Sequence, residues 1–163
     1  MQDKFNPSAI KAIIGLGNPG TEYDNTYHNA GAIFIDILSK IKPEKRFKKT
    51  NGFMNESGAD VKKILRLLGA RTQDLLLVHD DSDLELGQYK ISYGSGSAGH
   101  NGVASVIDVL GTKDFWRLRI GIRNDKTTRQ KAGGFVLKKI QLLDKKILLS
   151  VFSEIIQNEL RPT

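Results

Sequence analysis

Residues 13–31 read Ile-Ile-Gly-Leu-Gly-Asn-Pro-Gly-Thr-Glu-Tyr-Asp-Asn-Thr-Tyr-His-Asn-Ala-Gly, and this stretch decides the fold. The apolar run at residues 12–16 has the length and composition of a buried strand. It ends at Gly17-Asn18-Pro19-Gly20, where glycine permits unusual dihedrals and proline forbids further ladder bonding. The loop beyond carries Tyr23, Asn25 and His28. An amphipathic helix is predicted from about Asn29, with Ala32, Ile33, Ile37 and Ile41 inward and Asp36, Lys40 and Lys42 outward. A polar loop leaving a buried strand is where open α/β sheets bind ligands, which makes His28 a candidate for chemistry. Gly15-x-Gly17-x-x-Gly20 also matches the dinucleotide fingerprint. That motif needs its helix to open within the glycines, and here several loop residues intervene.

The same alternation continues outward. Residues 42–50 form a basic connector without periodicity, read as a solvated loop. Residues 51–58 are turn-like and open a helix that buries Val61, Ile64, Leu65 and Leu68 and stops at Gly69. Residues 75–78 are a second apolar run that empties into the polar loop His79-Asp-Asp-Ser-Asp-Leu-Glu85. Residues 88–93 alternate as a half-exposed strand. A glycine-rich loop, 94–99, leads through His100, Asn101 and Gly102 into a helix with Val103, Val106, Ile107 and Leu110 on one face and Gly111 as its stop. In residues 117–123, Leu118, Ile120 and Ile122 face a core. Arg117, Arg119, Gly121 and Arg123 share the other face, read as wet. Residues 124–134 read as a polar, basic loop, residues 134–137 are expected as a brief strand, and a closing helix from about Asp144 carries a wide apolar stripe. The expected fold class is α/β: a single domain over residues 1–163, with a mixed, mostly parallel twisted sheet and helices on both faces.

Composition sets limits on function. The chain has 163 residues, 39% apolar and 26% charged, as in an ordinary globular protein. No stretch approaches the roughly 20 apolar residues of a membrane span, and the N-terminus has no hydrophobic signal core. There is no cysteine, hence no thiol chemistry or disulfide framework. These features point to the cytoplasm. A net charge of +7 and a pI near 9.6 favour a polyanionic partner.

Four polar clusters punctuate the apolar elements: Asn18 with His28, Phe53 with Asn55, Asp80 in its acidic loop, and Asn101 after the glycines. Converging on one cleft, they have a coherent chemistry. A neutral imidazole, His28, takes a proton from water, and a carboxylate, Asp80, on its far nitrogen holds the tautomer and stabilises the imidazolium. Neutral amides such as Asn18, Asn55 and Asn101 orient a carbonyl or stabilise an oxyanion without disturbing the base. No serine lies in a Gly-x-Ser-x-Gly elbow, so direct attack by water is preferred. Asp80, Asp81 and Asp83 miss the EF-hand pattern, and residues 94–101 lack the Lys-Ser/Thr of a triphosphate loop. The residues alone lead to a hydrolase with a His–Asp pair.

Six motifs carry a resemblance. They are Gly-Leu-Gly-Asn-Pro-Gly-x-x-Tyr ending at Tyr23, Thr-x-His-Asn-x-Gly at Gly31, Phe-Met-Asn-x-Ser-Gly at Gly58, His-Asp-Asp-x-Asp-Leu at Leu84, Gly-His-Asn-Gly at Gly102 and Arg-Leu-Arg-Ile-Gly-Ile at Ile122. In this order they resemble the bacterial peptidyl-tRNA hydrolases. The resemblance implies a mixed α/β sheet and hydrolysis of the ester joining a peptide to the tRNA 3′ ribose, which returns tRNA to translation and rescues stalled ribosomes. It implies no metal and no cofactor, and a cytoplasmic monomer whose partner is the acceptor stem and 3′ end of peptidyl-tRNA. By position, His28 resembles the general base, Asp80 its support, and Asn18 the residue that recognises the first peptide unit. Tyr23, Phe53, Asn55 and Asn101 match contacts to the tRNA end and acyl group, and Arg119 matches a phosphate contact. The alternative of the same fold is a catalytically weak or inactive RNA-binding module.

Departures from the family pattern set further expectations. Tyr27 stands where arginine usually precedes the catalytic histidine, and Ala104 and Ser92 stand at positions that are usually basic. All three are expected to weaken tRNA binding more than chemistry. The segment before Phe53 is too short for the usual pair of strands, which is expected to alter the sheet that positions Asn55. The C-terminus ends soon after the last helix.

Overall fold

The computed structural model describes residues 4–124 and 132–161. Five strands form one sheet: β1 (Ala12–Gly15), β2 (Phe47–Lys49), β3 (Leu75–Glu85), β4 (Tyr89–Tyr93) and β5 (Trp116–Arg123), in the order β2-β1-β3-β5-β4. All pairings are parallel except β4 on β5. The helices are α1 (Ala30–Ile41), α2 (Ser57–Leu68), α3 (Asn101–Leu110), the short α4 (Ala132–Phe135) and α5 (Leu142–Asn158). The mostly parallel mixed α/β sheet expected from the sequence is the one observed.

Period-two alternation in the central strands sorts side chains into two cores. Ile13, Leu76, Val78, Leu118 and Ile120 pack with Phe34 and Leu38 of α1 and Val151, Phe152 and Ile155 of α5. Ala12, Ile14, Leu75 and Leu77 pack on the opposite face with Val61 and Leu65 of α2 and Val103 and Val106 of α3. Leu75, Leu76, Leu77 and Val78 have no exposed surface, so each contributes about 1.5–3 kcal/mol of burial. Helices therefore cover both faces. Among the described residues, no helix is long and apolar enough to cross a membrane.

Several expectations are corrected. Ile41 is 64% exposed and Phe34, Ile35 and Leu38 form the buried stripe of α1, because the helix lies across β1 and β3 by its Gly31 face. The connector at residues 42–50 contains β2, a basic edge strand paired with β1 through Phe47 opposite Ile13. The polar run after Val78 is no loop. β3 continues to Glu85 because β5 supplies its ladder partners, with an irregularity between Asp81 and Glu85. The strand expected at residues 134–137 is instead the end of α4, whose last residue is Phe135, followed by a turn. Of the basic loop expected at residues 124–134, residues 125–131 lie outside the described residues.

The shortened segment before Phe53 keeps one edge strand, and that strand serves the site. Arg46 donates to the carbonyls of Pro7 and Ile10 at 3.1 and 2.8 Å, anchoring the entry to β2. Beyond it, the Thr50 N–H donates to Gly15 at 3.1 Å. The turn carrying Asn55 is held by carboxylates in and just before the first turn of α2 instead of by further strands. Asp60 accepts from the N–H groups of Asn51 and Gly52 at 2.8 and 2.7 Å, and Glu56 accepts from Phe53 at 3.1 Å.

Candidate active site

The C-terminal ends of β1 and β3 open into a cleft of about 850 Å³ lined by Asn18, His28, Phe53, Asn55, Asp80 and Asn101, with Val136 and Leu137 as an apolar wall. Six of the eight residues singled out in the sequence therefore meet. Tyr23 is not in the lining but packs edge-on against Phe53, ring centroids 6.0 Å apart. Arg119 also lies outside it, its Nε donating to Asp81 at 2.6 Å.

Close backbone approach seats the histidine. A Cβ on Gly31 would lie 2.2 Å from the Val78 carbonyl oxygen, and one on Gly15 2.4 Å from the Gly31 oxygen, so only glycine lets α1 settle onto the strands here. His28, in the turn just before α1, thereby reaches β3. Its Nδ1 lies 3.0 and 2.9 Å from the two Asp80 oxygens. The carboxylate accepts there, so Nδ1 carries the proton and the Nε2 lone pair is left for the cleft. Burial lowers the His28 pKa, but the adjacent Asp80 raises it more, and the net shift is upward. Burial alone would push the Asp80 carboxyl up. The two imidazoles beside it outweigh that and hold it well below the usual carboxylate range.

The second imidazole is one the sequence reading left without a role. His100 Nδ1 accepts the N–H groups of Gly102 and Val103 at 3.1 and 3.2 Å, acting as the N-cap of α3. A neutral ring capping through Nδ1 must carry its proton on Nε2, and Nε2 lies 2.9 Å from Asp80 Oδ1. The helix cap thus fixes the tautomer that donates to Asp80. His79, fully buried, donates from Nδ1 to the Asp80 carbonyl at 2.7 Å. Burial first, then His100 and Arg117, push its pKa well below the ordinary value. All three histidines of the chain gather at Asp80. The signal for His100 was its place just before a helix start, after a glycine-rich loop.

The amide side chains are held just as specifically. Asn29 grips the backbone of residue 18 from both sides: its Oδ1 accepts from the Asn18 N–H at 2.8 Å and its Nδ2 donates to the Asn18 carbonyl at 2.9 Å. The Asn18 Oδ1 accepts from the Met54 N–H at 2.8 Å, which orients the Nδ2 end of the amide as a donor. Arg117, read as part of a wet face, is buried instead, and its Nη2 donates to the Gly96 carbonyl at 2.8 Å, tethering the glycine-rich loop. His28, Asp80 and His100 are also the only cluster among the described residues able to hold a metal ion, with ligand atoms within 4.8 Å of one another. The spacings of 2.9–3.0 Å between these nitrogens and the carboxylate are those of hydrogen bonds.

A histidine–carboxylate pair and ordered amides at the strand ends of an open α/β sheet are the equipment of a hydrolase that activates water directly. The peptidyl-tRNA hydrolase family model matches residues 12–49 and 40–160. The chain belongs to the peptidyl-tRNA hydrolase family. It is 36% identical to the peptidyl-tRNA hydrolase of Marinobacter nauticus, over 91% of this chain and 86% of the relative. Identity to that of Mycoplasma capricolum subsp. capricolum is 41%, over 80% of each chain. The crystal structure of peptidyl-tRNA hydrolase from Acinetobacter baumannii superposes with a TM-score of 0.80 at 25% identity, covering 98% of this chain and 91% of that one.

Proposed function

We propose that this enzyme hydrolyses the ester between the peptide and the 3′ ribose of peptidyl-tRNA, acting as a monomer in the cytoplasm. The observation that carries the reading is the proton placement at His28: Asp80 takes Nδ1–H, and the basic Nε2 remains in the cleft. In this mechanism Nε2 removes a proton from water, and the water oxygen bonds to the ester carbonyl carbon. Amide donors, Asn18 Nδ2 among them, stabilise the oxyanion. Collapse breaks the bond to the ribose 3′ oxygen, which takes the proton back from the imidazolium. Asp80 stays ionised throughout and stabilises the charged ring.

Substrate grip divides by chemistry. The edge-on pair Tyr23 and Phe53 offers aromatic faces to the terminal base, and Asn55 and Asn101 offer hydrogen bonds at the lip. Arg119, held by Asp81, stands beside Lys90 across the ladder, and this edge supplies a phosphate contact. The binding-only alternative is disfavoured, because holding RNA gives no physical reason to assemble two imidazoles on a buried carboxylate.

Asn18 supplies the selectivity in this reading. Its oriented amide pairs with the peptide unit of an N-blocked substrate, and a free aminoacyl-tRNA leaves that amide unpaired. N-acetyl-aminoacyl-tRNA is expected to be cleaved and the unblocked form largely spared, with Asn18→Ala narrowing the ratio of kcat/KM between them. Equal cleavage of both forms by the unsubstituted enzyme would sink the assignment.

A further inference from the structure

One wall of the cleft is built from a different part of the chain than its floor. Gly133, Val136 and Leu137 line it, and the segment from 136 to 140 is stitched to the segment that carries His28. The His28 N–H donates to the Val136 carbonyl at 2.7 Å, and the Tyr27 N–H to Lys138 at 3.2 Å. Thr26 and Lys139 form an antiparallel bridge, and the Ile140 N–H donates to Asn25 at 2.7 Å. These bonds lie outside the five-stranded sheet, beside partly buried Val136 and Ile140. Something must fix the far end of the wall.

That anchor is the side chain of Tyr27, only 1% exposed. Its ring stacks on Phe135, with centroids 4.4 Å apart. Its hydroxyl donates to the Asp144 carboxylate and accepts from the Gln141 N–H at 3.4 Å, so it ties together the N-cap and first turn of α5. Asp144 is well placed as an anion at a helix N-terminus. Burial and the Asp144 hydrogen bond push the phenol up to about 12, so it stays a donor at any working pH.

We infer that Tyr27 is a positioning residue: with Asp144 it latches the Val136–Leu137 wall of the cleft to the peptide that carries His28, and so sets how tightly the acyl part of the substrate is held. This rests on the cleft being the acyl site of peptidyl-tRNA hydrolysis. The His28 ring is held by Asp80 and by the seat of Gly31, whereas the wall touches only its backbone N–H, so the latch governs binding and leaves the chemical step alone. It also gives the tyrosine that stands in place of the family's usual arginine a definite task.

Tyr27→Phe keeps the ring on Phe135 and removes only the hydroxyl. With N-acetyl-aminoacyl-tRNA we expect KM to rise about 5–10-fold while kcat stays within about two-fold. Amide exchange should quicken at Tyr27, His28 and Ile140 and stay unchanged at Leu76 and Leu77. Asp144→Ala should behave like Tyr27→Phe, and the double variant should be no worse than either. Asp144→Asn keeps an oxygen acceptor for the phenol and should retain a near-normal KM. The inference is overturned if KM does not move, if kcat falls instead, if exchange quickens equally across the sheet, or if Asp144→Asn is as impaired as Asp144→Ala. The exchange arm needs no substrate. Failure of the unsubstituted enzyme to cleave would therefore count against the functional reading, while the latch is still judged by exchange at Tyr27, His28 and Ile140.

Discussion

The floor of the cleft and its 133–140 wall are held by different physics. Asp80 sits inside a strand, opposite Ile120 in an unbroken stretch of ladder, and His28 is pressed onto it by two glycines with no room for a methyl group. The wall is held by a handful of hydrogen bonds, one buried phenol and the partly buried side chains of Phe135, Val136 and Ile140 at the rim of the core. A ladder fixes positions collectively, whereas single bonds each open at small cost. Proton transfer tolerates little error in distance, and the groups proposed to perform it lie on the floor. In the proposed reading, the wall would hold the part of the substrate that varies from peptide to peptide.

Removing the base tests the floor most severely. His28→Ala is expected to lower kcat about 10²–10⁴-fold while tRNA binding is retained, as measured by turnover and filter binding on the same preparation. Near-normal turnover would show that the floor does not carry the chemistry.

Asp80→Asn should cost less, because the imidazole remains, and it should also move the pH profile. Since the His28 pKa is shifted upward, the proposed neutral base predicts that kcat/KM rises through an inflection above the ordinary imidazole value of about 6.5. Without the carboxylate, burial dominates and the inflection should fall. The same shift has an opposite sign for stability. A raised folded-state pKa contributes stability that is fully present below the unfolded pKa and is lost as pH rises through the folded one. As a neutral base, His28 would work in the range where that contribution is disappearing.

A pair of glycine substitutions compares the two regions directly. Gly31→Ala pushes a Cβ into the Val78 carbonyl and should destabilise by about 1–3 kcal/mol, with loss of activity from a displaced His28. Gly133→Ala, where a Cβ meets nothing within 4 Å, should leave thermal stability within about 0.5 kcal/mol of the starting enzyme. Equal effects on denaturation midpoint would erase the distinction.

What was legible in the sequence follows the same division. β1, the start of β3 and the faces of α2 and α3 were readable because apolar periodicity records burial directly. Gly69 and Gly111 ended those helices as expected, both in the left-handed conformation. The stripe of α1 was misread because residues 32–38 are apolar nearly all round, and only contact with β1 and β3 selects Phe34 and Leu38. β2 and the far half of β3 were missed since their side chains are polar and their strand character comes from a neighbour's hydrogen bonds. Arg117 reads as exposed by residue type, yet its guanidinium is buried holding Gly96. The positions of His28, Asp80 and the asparagines could be marked one by one. That Asp80 receives two imidazoles, and that a helix cap sets the proton on one of them, needs three dimensions.

The order β2-β1-β3-β5-β4 has a consequence for synthesis. β5 comes last in the chain yet lies between β3 and β4, which precede it. A nascent chain that has emerged only through α3 holds β4 without its partner and β3 with one edge bare, a state prone to wrong pairing. Only when Trp116–Arg123 slots between them do Asp81 and Gly96 gain Arg119 and Arg117, and the glycine-rich loop its tether. Translation must therefore pass residue 123 before the molecule can assemble the cleft, and fragments ending earlier are expected to be inactive.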